Sequence, residues 1–360
     1  MLNAKSHLMV QMNRSRWMEL PRKVLVSRGA LGEVPLICAD LKLEGRALVV
    51  TGQNTLEAAG KGVSDLLEEK GYEPEIVIGR ASRIDEVDRA EAVAREMEAG
   101  FIVGVGGGRS IDISKLVSLR TEIPFLSIPT AASHDGICSS QASLTVKGET
   151  VSIPARAPLA IVADTDVISK APHRLLAAGC GDVISNYTAL LDWEMARRLR
   201  NEDYSEYAAA LSGMTAKMIM ELAPTIRPGA EESVRAVVKA LISSSVAMSI
   251  AGSSRPGSGS EHKFAHAVNR IRPGAALHGE LCGLGTITMM YLHRGDWKAI
   301  RDALQHVGAP TTAVQLGIPS EVVIKALVLA HDVRPERYTI LDAGLTKEAL
   351  ALAAEATGII

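Results

Sequence analysis

The order of strand-like and helix-like segments is the feature that most restricts the fold. Up to about residue 170, short apolar runs typical of buried strands alternate with segments whose apolar residues recur at helical spacing. Because parallel strands need a crossover about as long as a helix, this alternation predicts a mainly parallel sheet covered on both faces. The predicted strands are residues 46–51, 75–78, 101–105, 124–128 and 159–163, and the predicted helices are residues 55–70, 84–97 and 110–119.

The second half of the chain lacks the strand pattern. A period-two stretch over residues 141–154, with a turn signal at Lys147-Gly148, predicts a hairpin appended to the sheet. From about Pro172 onward only helical segments follow, separated by prolines. We therefore predict an α/β domain over residues 1–170 and an all-α domain over residues 171–360, with a ligand cleft between them. The predicted helices are residues 182–200, 203–222, 231–251, 261–269, 280–292, 296–307, 320–331 and 346–356.

Composition favours a folded cytoplasmic protein without a nucleic-acid partner. Hydrophobic residues make up 47% of the chain, and the net charge of −2 comes without a basic cluster. Four widely spaced cysteines without a Cys-x-x-Cys pair indicate free thiols in a reducing compartment. The first twenty residues lack an apolar run of signal-peptide length, and the longest apolar stretch, residues 237–252, looks too short and too polar to cross a membrane.

Asp182, His262 and His278 together suggest a divalent-metal site. Asp182 is predicted to open a helix after a Gly-Cys-Gly turn, His262 lies one helical turn before His266, and His278 directly precedes a further helix. A single histidine is more often a surface or core residue than a ligand. One carboxylate and two imidazoles, however, give a borderline cation three ligands and leave one position open, as a catalytic site requires.

Two loops at the ends of predicted strands suggest a phosphate-binding cleft. Residues 104–112 form a glycine-rich turn leading into a helix, whose free N–H groups suit a phosphate. The dinucleotide fingerprint fails because Ile111 stands where its third glycine is expected, and a plain tight turn explains the glycines equally well. Asp112, in the first turn of the predicted helix, either contacts a ligand or only complements the helix dipole. The loop at residues 129–136 follows the next strand and carries small hydroxyl side chains.

These motifs in combination resemble the superfamily of iron-containing alcohol dehydrogenases, glycerol dehydrogenases and dehydroquinate synthases. Within it the chain is most similar to the archaeal-type sn-glycerol-1-phosphate dehydrogenases, over nearly all residues beyond the first twenty. The motifs that carry the resemblance are Gly-Gly-Gly-Arg-Ser-Ile-Asp at 106–112, Pro-Thr-Ala-Ala-Ser-His-Asp-Gly at 129–136, Gly-Asp-Val-Ile-Ser-Asn-Tyr at 181–187, Ser-Gly-Ser-Glu-His at 258–262 and Leu-His-Gly-Glu at 277–280.

The resemblance implies the dehydroquinate synthase-like fold, an NAD(P)H cofactor and one zinc ion per subunit. Zinc would be held by Asp182, His262 and His278, and the catalytic residues facing the substrate would be Asp135, Asp182 and His266. His266 as a fourth metal ligand is the alternative. Cofactor contacts would come from Gly106, Gly107, Gly108, Arg109, Ser110, Ile111, Asp112, Thr130, Ala131, Ala132, Ser133 and Ser139.

Two departures from the motifs of this superfamily indicate which of its branches the chain resembles. The iron-dependent alcohol dehydrogenases carry a histidine ligand four residues after the aspartate, where this chain has Asn186, so a three-ligand zinc site is favoured over a four-ligand iron site. Dehydroquinate synthases use Glu where this chain has Asp182, and their Lys/Arg-rich substrate site is not evident here.

The implied reaction is the reversible reduction of dihydroxyacetone phosphate to sn-glycerol 1-phosphate, the glycerophosphate backbone of archaeal-type membrane phospholipids. A homo-oligomer is also implied. Arg255, Asn186 and the serines of residues 253–260 are candidate donors to the substrate phosphate. One alternative is a glycerol or other polyol dehydrogenase acting on an unphosphorylated substrate, and another is a non-catalytic metal- or nucleotide-binding protein.

Overall fold

A six-stranded parallel sheet forms the centre of the first half of the chain. The computed structural model describes residues 18–146 and 149–360, so the expected lack of a signal peptide and the turn predicted at Lys147-Gly148 lie outside the described residues. The strands are β1 (Lys23–Ser27), β2 (Arg46–Thr51), β3 (Pro74–Ile78), β4 (Ala99–Gly106), β5 (Phe125–Pro129), β6 (Gln141–Val146), β7 (Glu149–Pro154) and β8 (Ala160–Asp164).

The strand order is β1-β8-β5-β4-β2-β3, and every neighbouring pair is parallel. The five predicted strands of this sheet are confirmed to within two residues. The edge strand β1 was not predicted, and its residues are only partly buried or exposed. The predicted hairpin forms, but β6 and β7 make a separate two-stranded sheet and do not extend the large one; Thr145 of β6 also forms an isolated parallel bridge with Arg83.

Alternate residues of the central strands fill separate cores on the two faces of the sheet. Phe101, Val103 and Val105 of β4 belong to one buried cluster, and Ile102 belongs to the other. This follows from the two-residue period of a strand. The covering helices of the first half are α1 (Val34–Asp40), α2 (Gln53–Thr55), α3 (Lys61–Glu68), α4 (Ile84–Glu96) and α5 (Gly108–Thr121), with a π-helical turn, Leu56–Gly60, joining α2 to α3.

Beyond β8 the described residues contain helices and connecting segments only. The larger core cluster continues from the sheet into these helices, so the two halves pack against each other. The helices are α6 (Thr165–Ser169), α7 (His173–Ile184), α8 (Asn186–Arg200), α9 (Glu206–Leu222), α10 (Glu231–Ala251), α11 (Ser260–Ile271), α12 (His278–Leu292), α13 (Trp297–His306), α14 (Ser320–Ala330) and α15 (Lys347–Ala356).

The predicted start of a helix at Asp182 is wrong. Asp182 lies in the last turn of α7, and Gly179 and Gly181 lie inside that helix and do not form a turn. These glycines are needed for packing, because a Cβ atom at Gly181 would lie 2.4 Å from the carbonyl oxygen of Gly279 in α12. Helix–helix contact this close requires glycine at the crossing point.

Helix α10 contains the apolar stretch that looked too short to cross a membrane. The helix has 21 residues, and its most apolar 18-residue window has a mean hydropathy of 1.5, so by length and composition alone it meets the requirement for a span, and the expectation that it is too short and too polar is wrong. It packs against α9, and 56% of its most apolar window is buried inside the fold. Such burial is typical of a core helix.

Candidate active site

Three helices bring Asp182, His262 and His278 together. Oδ1 of Asp182 lies 3.8 Å from Nε2 of His262 and 3.7 Å from Nε2 of His278, and the two imidazole centroids are 4.9 Å apart. These residues come from the end of α7, the start of α11 and the first position of α12. Their side chains present one oxygen and two nitrogen atoms to a common point, as the sequence analysis expected of a metal site.

One oxygen of Asp182 is unsatisfied. Oδ2 accepts a hydrogen bond from the backbone N–H of Asp135 at 2.8 Å, but the buried Oδ1 has no hydrogen-bond partner among the described residues. An unpaired buried carboxylate oxygen is costly, and burial raises the pKa of Asp182 to about 7. A cation placed between Oδ1 and the two imidazoles would remove this cost, so the residues present fit a divalent metal ion.

The two histidines are held in the form that a metal requires. Nδ1 of His262 donates to Oε1 of Glu261 at 2.9 Å, which leaves Nε2 free to face Asp182. Burial lowers the pKa of His262 well below its usual value and also lowers the pKa of His278. Both rings are therefore neutral near pH 7, as ligation requires. Glu261 was not predicted to be a positioning residue, although it directly precedes His262.

A fourth potential ligand, Cys282, joins this cluster. The ligand atoms of Asp182, His262, His278 and Cys282 all lie within 4.8 Å of one another, and Sγ of Cys282 is 3.5 Å from Nε2 of His278. Burial raises the pKa of the Cys282 thiol well above its ordinary value. The cysteine follows His278 by four residues on the same helix, so it shares that helix face, a spacing that the sequence analysis did not use.

Asp135 and His266 face the same cavity as the cluster. The cavity is lined by the imidazoles of His262, His266 and His278 and by the carboxyl group of Asp135. Burial, together with the neighbouring Asp182, raises the pKa of Asp135 to about 7, and burial lowers the pKa of His266 well below its usual value. The remaining lining residues are Asp112, His134, Gly136, Ser139, Gln141, Ser143, Ser152, Met248, Ser254, Gly257, Ser258 and Arg334.

The glycine turn lies where an open α/β sheet binds its ligands. Strand β2 is flanked by β3 and β4, so the order of the strands reverses direction between β2 and β4. Ligands of such sheets bind at the carboxyl ends of the strands beside this switch point. Gly106 ends β4 there with φ 148°, and Gly107 caps the N-terminus of α5. A Cβ atom at Gly107 would point into open space, which leaves room for a phosphate group above the helix N-terminus.

The second predicted loop lies beside this turn. The N–H of Thr130 donates to the carbonyl oxygen of Gly106 at 3.0 Å, which ties the end of β5 to the glycine turn. Ser133 is partly buried, whereas Thr130, Ala131 and Ala132 are buried. Ser139 lies further along, where its side chain lines the cavity.

The other residues predicted to contact the cofactor differ in how deeply they are buried. Ser110 is buried at the start of α5, the side chain of Ile111 lies in the hydrophobic core, and Arg109 is exposed. Ile111 can therefore offer a cofactor only its backbone. Gly108 is the first residue of α5, and a Cβ atom there would lie 2.3 Å from Nε2 of His134, so this glycine is required for the close approach of His134.

Asp112 does not lie in the first turn of its helix, as had been predicted. It is the fifth residue of α5, where a carboxylate gains little from the helix dipole. Its Oδ1 pairs with the buried ammonium group of Lys115 at 3.0 Å, and its Oδ2 accepts the N–H of Ser143 at 3.0 Å. Asp112 therefore fixes the start of the hairpin beside the cavity.

Two predicted donors to a substrate phosphate have other partners. The buried guanidinium group of Arg255 forms an ion pair with Glu202 and donates to the carbonyl oxygen of Tyr338 at 2.9 Å, so it is not free to bind a ligand. The amide of Asn186 donates to Oγ of Ser244 at 3.1 Å, and the residue does not line the cavity. Glu280 accepts the N–H of Leu277 and pairs with Arg174, so it caps the start of α12.

Comparison with known proteins gives one consistent result. Residues 25–172 match the iron-containing alcohol dehydrogenase family. The chain is 60% identical over 353 residues to the glycerol-1-phosphate dehydrogenase (NAD(P)+) of Methanothrix thermoacetophila, an alignment that covers 98% of this chain and 100% of the relative. It is 59% identical to the enzyme of the same name from Methanosarcina mazei, with 98% and 99% covered.

Solved structures share the fold at lower identity. Glycerol dehydrogenase from Schizosaccharomyces pombe superposes with a TM-score of 0.80 at 22% identity and covers 95% of this chain and 90% of that chain. Sulfoacetaldehyde reductase from Bifidobacterium kashiwanohense, solved in complex with NAD+, gives a TM-score of 0.76 at 17% identity, with 95% and 98% covered. The full-length identity to the two archaeal relatives is decisive, and the chain belongs to the glycerol-1-phosphate dehydrogenase family.

Proposed function

We propose that this chain is an NAD(P)-dependent, metal-dependent oxidoreductase that interconverts dihydroxyacetone phosphate and sn-glycerol 1-phosphate. The product is the glycerophosphate backbone of archaeal-type membrane phospholipids. The observation that carries the proposal is the convergence of Asp182, His262 and His278 on one point, in a chain 60% identical over its length to a glycerol-1-phosphate dehydrogenase. A polyol dehydrogenase is the weaker alternative, because the glycerol dehydrogenase from S. pombe, at 22% identity, supports only the fold.

Asp182, His262 and His278 would hold the metal ion, which we take to be zinc. Carboxylate oxygen and neutral imidazole nitrogen are ligands that zinc accepts, and three protein ligands leave one coordination position open. When bound, such an ion supplies Lewis acidity, which stabilises negative charge on a substrate oxygen. The N–H of Asp135 keeps the Asp182 carboxylate oriented, and Glu261 keeps His262 oriented.

Proton transfer falls to residues of the cavity. His266 lies 5.9 Å from His278 between ring centroids, and burial lowers its pKa well below the usual value, so its neutral ring can donate a hydrogen bond to the substrate oxygen, or pass a proton on from one ring nitrogen while the other takes one up. Asp135, whose pKa is raised to about 7, can donate to or accept from a substrate hydroxyl group. Ser244 Oγ lies 3.4 Å from Oδ2 of Asp135 and helps to orient it.

The dinucleotide would bind across the switch point of the sheet. The backbone N–H groups at the N-terminus of α5, in Gly107 and Gly108, would bind the pyrophosphate. Thr130 and Ser133 would contact the adjacent part of the cofactor, and Ser139 would contact it at the cavity that this residue lines. Hydride would then pass within the cleft between the sheet and the helices. We accordingly assign cofactor binding to residues 1–170 and metal and substrate binding to residues 171–360.

We further propose that the enzyme is a cytoplasmic homo-oligomer. All four cysteines are buried and unpaired, and the expected cofactor is a reduced nicotinamide, both of which suit a reducing compartment. Helix α9 presents an apolar stripe to solvent at helical spacing, formed by Tyr207, Leu211, Met214 and Met218. Tyr207 is 84% exposed and Met214 is 55% exposed, which supports burial of this stripe against a second copy.

A substrate comparison tests the proposed function. Turnover of dihydroxyacetone phosphate and of dihydroxyacetone would be measured with NADH and with NADPH. The proposal predicts a kcat/KM for the phosphorylated ketone at least about 100-fold higher, because a buried charge-assisted contact to phosphate contributes about 1.5–3 kcal/mol and several contacts are expected. Equal kcat/KM for the two ketones would support the polyol dehydrogenase, and no oxidation of cofactor with either ketone would support a non-catalytic protein.

A further inference from the structure

One side chain of the cavity has no role in the site described so far. Arg334, in the turn between α14 and the segment that leads to α15, lines the same cavity as His262, His266 and His278. Among the described residues that line that cavity, it is the only lysine or arginine. Its positive charge acts on all three histidines. Burial is the largest cause of their lowered pKa values, and the charge of Arg334 contributes to each.

The guanidinium group of Arg334 has no bonded partner among the described residues. No hydrogen bond or ion pair there involves its side chain; Glu336 acts on it only through its charge, and desolvation is strong enough to lower the pKa of this arginine. An arginine carries five N–H donors, and partly burying them without acceptors is unfavourable. Two nearby arginines differ in this respect. Arg255 pairs with Glu202, and Arg337 donates to the carbonyl oxygen of Ser258 and, at 2.7 Å, to Oγ of Ser254.

The backbone holds Arg334 in an unfavourable conformation. Its φ is 51°, in the left-handed region, and the next residue is Pro335, which further restricts the residue before it. Such strain persists only where surrounding contacts impose it, and it is frequent at ligand sites. Here the N–H of Arg337 donates to the carbonyl oxygen of Arg334 at 2.9 Å, so the anchored Arg337 fixes the turn that presents Arg334 to the cavity.

The carboxylates at the cavity mean that binding a phosphate group there requires a positively charged side chain. Asp112 and Asp135 line it, and Asp182 lies directly beside them, so a phosphorylated substrate would meet carboxylates on this side. Lys115, whose side chain lies beside Asp112, is buried and already bonded to Asp112 and to the carbonyl oxygen of Gln141 at 2.7 Å, and Lys263 pairs with Asp342. A phosphate dianion therefore needs a cation from elsewhere, and a planar guanidinium group binds phosphate through two parallel hydrogen bonds.

We propose that Arg334 binds the phosphate group of the substrate and thereby makes the site selective for a phosphorylated three-carbon ketone. This inference rests on the proposed function, because it concerns the same site. Ser254 and Ser258, which also line the cavity and are bonded to Arg337, lie on the segment facing Arg334 and complete the polar end of the pocket. The metal ligands and Arg334 would then hold opposite ends of the substrate.

The test compares Arg334→Met and Arg334→Lys with Arg294→Met in the metal-loaded enzyme. Arg294 is a matched control, because it also has a positive φ, of 58°, lies in an exposed turn and does not line the cavity. We expect Arg334→Met to lower kcat/KM for dihydroxyacetone phosphate by about 10- to 100-fold, mainly through KM, and to lower kcat/KM for dihydroxyacetone by a much smaller factor. Arg334→Lys should retain part of the selectivity, and Arg294→Met should retain all of it.

Two further measurements separate the possible explanations. With NADH saturating, inorganic phosphate should inhibit the wild type competitively with the ketone phosphate, and Arg334→Met should weaken this inhibition by a similar factor. Metal content and the Kd for NADH should not change. An equal loss with both ketones would mean a structural role, and a weaker Kd for NADH would mean that the arginine serves the cofactor phosphates; either result overturns the inference. A wild type inactive on dihydroxyacetone phosphate would refute the proposed function instead, and phosphate binding would still test Arg334.

Discussion

At the scale of single residues, the chemistry depends on the unpaired Oδ1 of Asp182. A buried carboxylate oxygen without a donor is uncommon in native proteins, because the desolvation cost is not recovered. Nε2 of His262 has no proton to donate to it, because Nδ1 of this ring carries the proton that is donated to Glu261. The arrangement of His262 and His278 around Asp182 is therefore stable with a cation in place and unfavourable without one.

Replacing His262 by alanine should remove both the metal ion and the activity. Asp182 and His278 hold zinc far more weakly without His262, and burial raises the pKa of the Cys282 thiol, which disfavours its replacing the lost ligand, so we expect the purified variant to contain less than about a tenth of the wild-type metal. Elemental analysis and cofactor oxidation measure the two effects. His306→Ala is the control, because His306 bonds only to the carbonyl oxygen of Asp302 in its own helix. Full activity of the His262 variant without metal would contradict the assigned role.

His134 should make the folded protein sensitive to acid. Burial lowers its pKa from 6.5 to about 3, so below pH 6.5 the unfolded chain binds a proton that the folded chain does not. Its share of the stability is therefore intact above about pH 6.5 and is lost as the pH falls toward 3, by up to about 5 kcal/mol.

The variant His134→Asn tests this prediction. An asparagine carbonyl oxygen can accept the N–H of Gly136 that Nδ1 of His134 now accepts at 2.9 Å, so the local hydrogen bond is preserved without a titrating group. Denaturant unfolding between pH 4 and 7 should show a shallower loss of stability for the variant. An identical pH dependence of the two proteins would mean that His134 does not titrate as described.

At the scale of helices and strands, the metal ligands are positioned by one close helix crossing. Helix α7 carries Asp182 and α12 carries His278, and glycines on both sides let the two backbones touch. A Cβ atom at Gly279 would lie 1.9 Å from the carbonyl oxygen of Ala178, so no side chain fits there without moving a helix. The crossing fixes the 3.7 Å separation between Asp182 and His278.

Gly279→Ala should therefore weaken metal binding as well as stability. Forcing α7 and α12 apart should cost about 1–3 kcal/mol of unfolding free energy and lower the metal affinity measured by chelator competition. Gly62→Ala is the control, because a Cβ atom at Gly62 in α3 meets nothing within 4 Å, and it should stabilise the protein by about 0.4–1 kcal/mol. Unchanged metal affinity in Gly279→Ala would show that the crossing does not set the ligand geometry.

Strands and helices could be predicted from the sequence wherever apolar periodicity was strong. The prediction was wrong where glycine residues serve helix packing. The buried strands β2, β4, β5 and β8 were visible as apolar runs. The partly exposed β1 was not, and α7 was misplaced because Gly179 and Gly181 suggest a turn when no helix crossing is known.

Some residues of the candidate site could be predicted from the sequence and others could not. Asp182, His262 and His278 could be proposed because their residue types are metal ligands. Arg334 could not be, since an arginine before a proline carries no sequence signal and only the tertiary fold brings it to the cavity. The structural role of Arg255 could not be predicted from the sequence either, because its ion-pair partner Glu202 is distant in the sequence.

At the scale of the whole molecule, the sheet and the helices share a continuous core. The larger hydrophobic cluster includes Val50 and Ile102 of the sheet as well as Leu241 and Leu284 of the helical half, so the walls of the cleft are held together by buried contacts. Asp112 of α5 and the histidines of α11 and α12 line one cavity of this cleft. Under the proposed function, a dinucleotide and a small ketone would meet there.

The oligomer proposal predicts the effect of one surface charge. Met214→Glu places a carboxylate in the exposed stripe of α9, so it should lower the mass measured by light scattering from a multiple of the monomer mass toward the monomer. Leu352→Glu is the control, because Leu352 is similarly exposed, at 62%, on α15. A wild type that is monomeric at all concentrations, or a Met214 variant with unchanged mass, would contradict the assignment of this surface.

Chiral analysis of the reduction product tests the proposed reaction most directly. The metal-loaded chain would be supplied with dihydroxyacetone phosphate and reduced nicotinamide cofactor, and the glycerophosphate formed would be assigned with a stereospecific enzyme assay, alongside a chelator-treated sample. We predict sn-glycerol 1-phosphate from the loaded protein and no product after chelation, with activity restored by added zinc. Formation of sn-glycerol 3-phosphate, or undiminished reduction by protein shown to be free of metal, would contradict the proposed reaction.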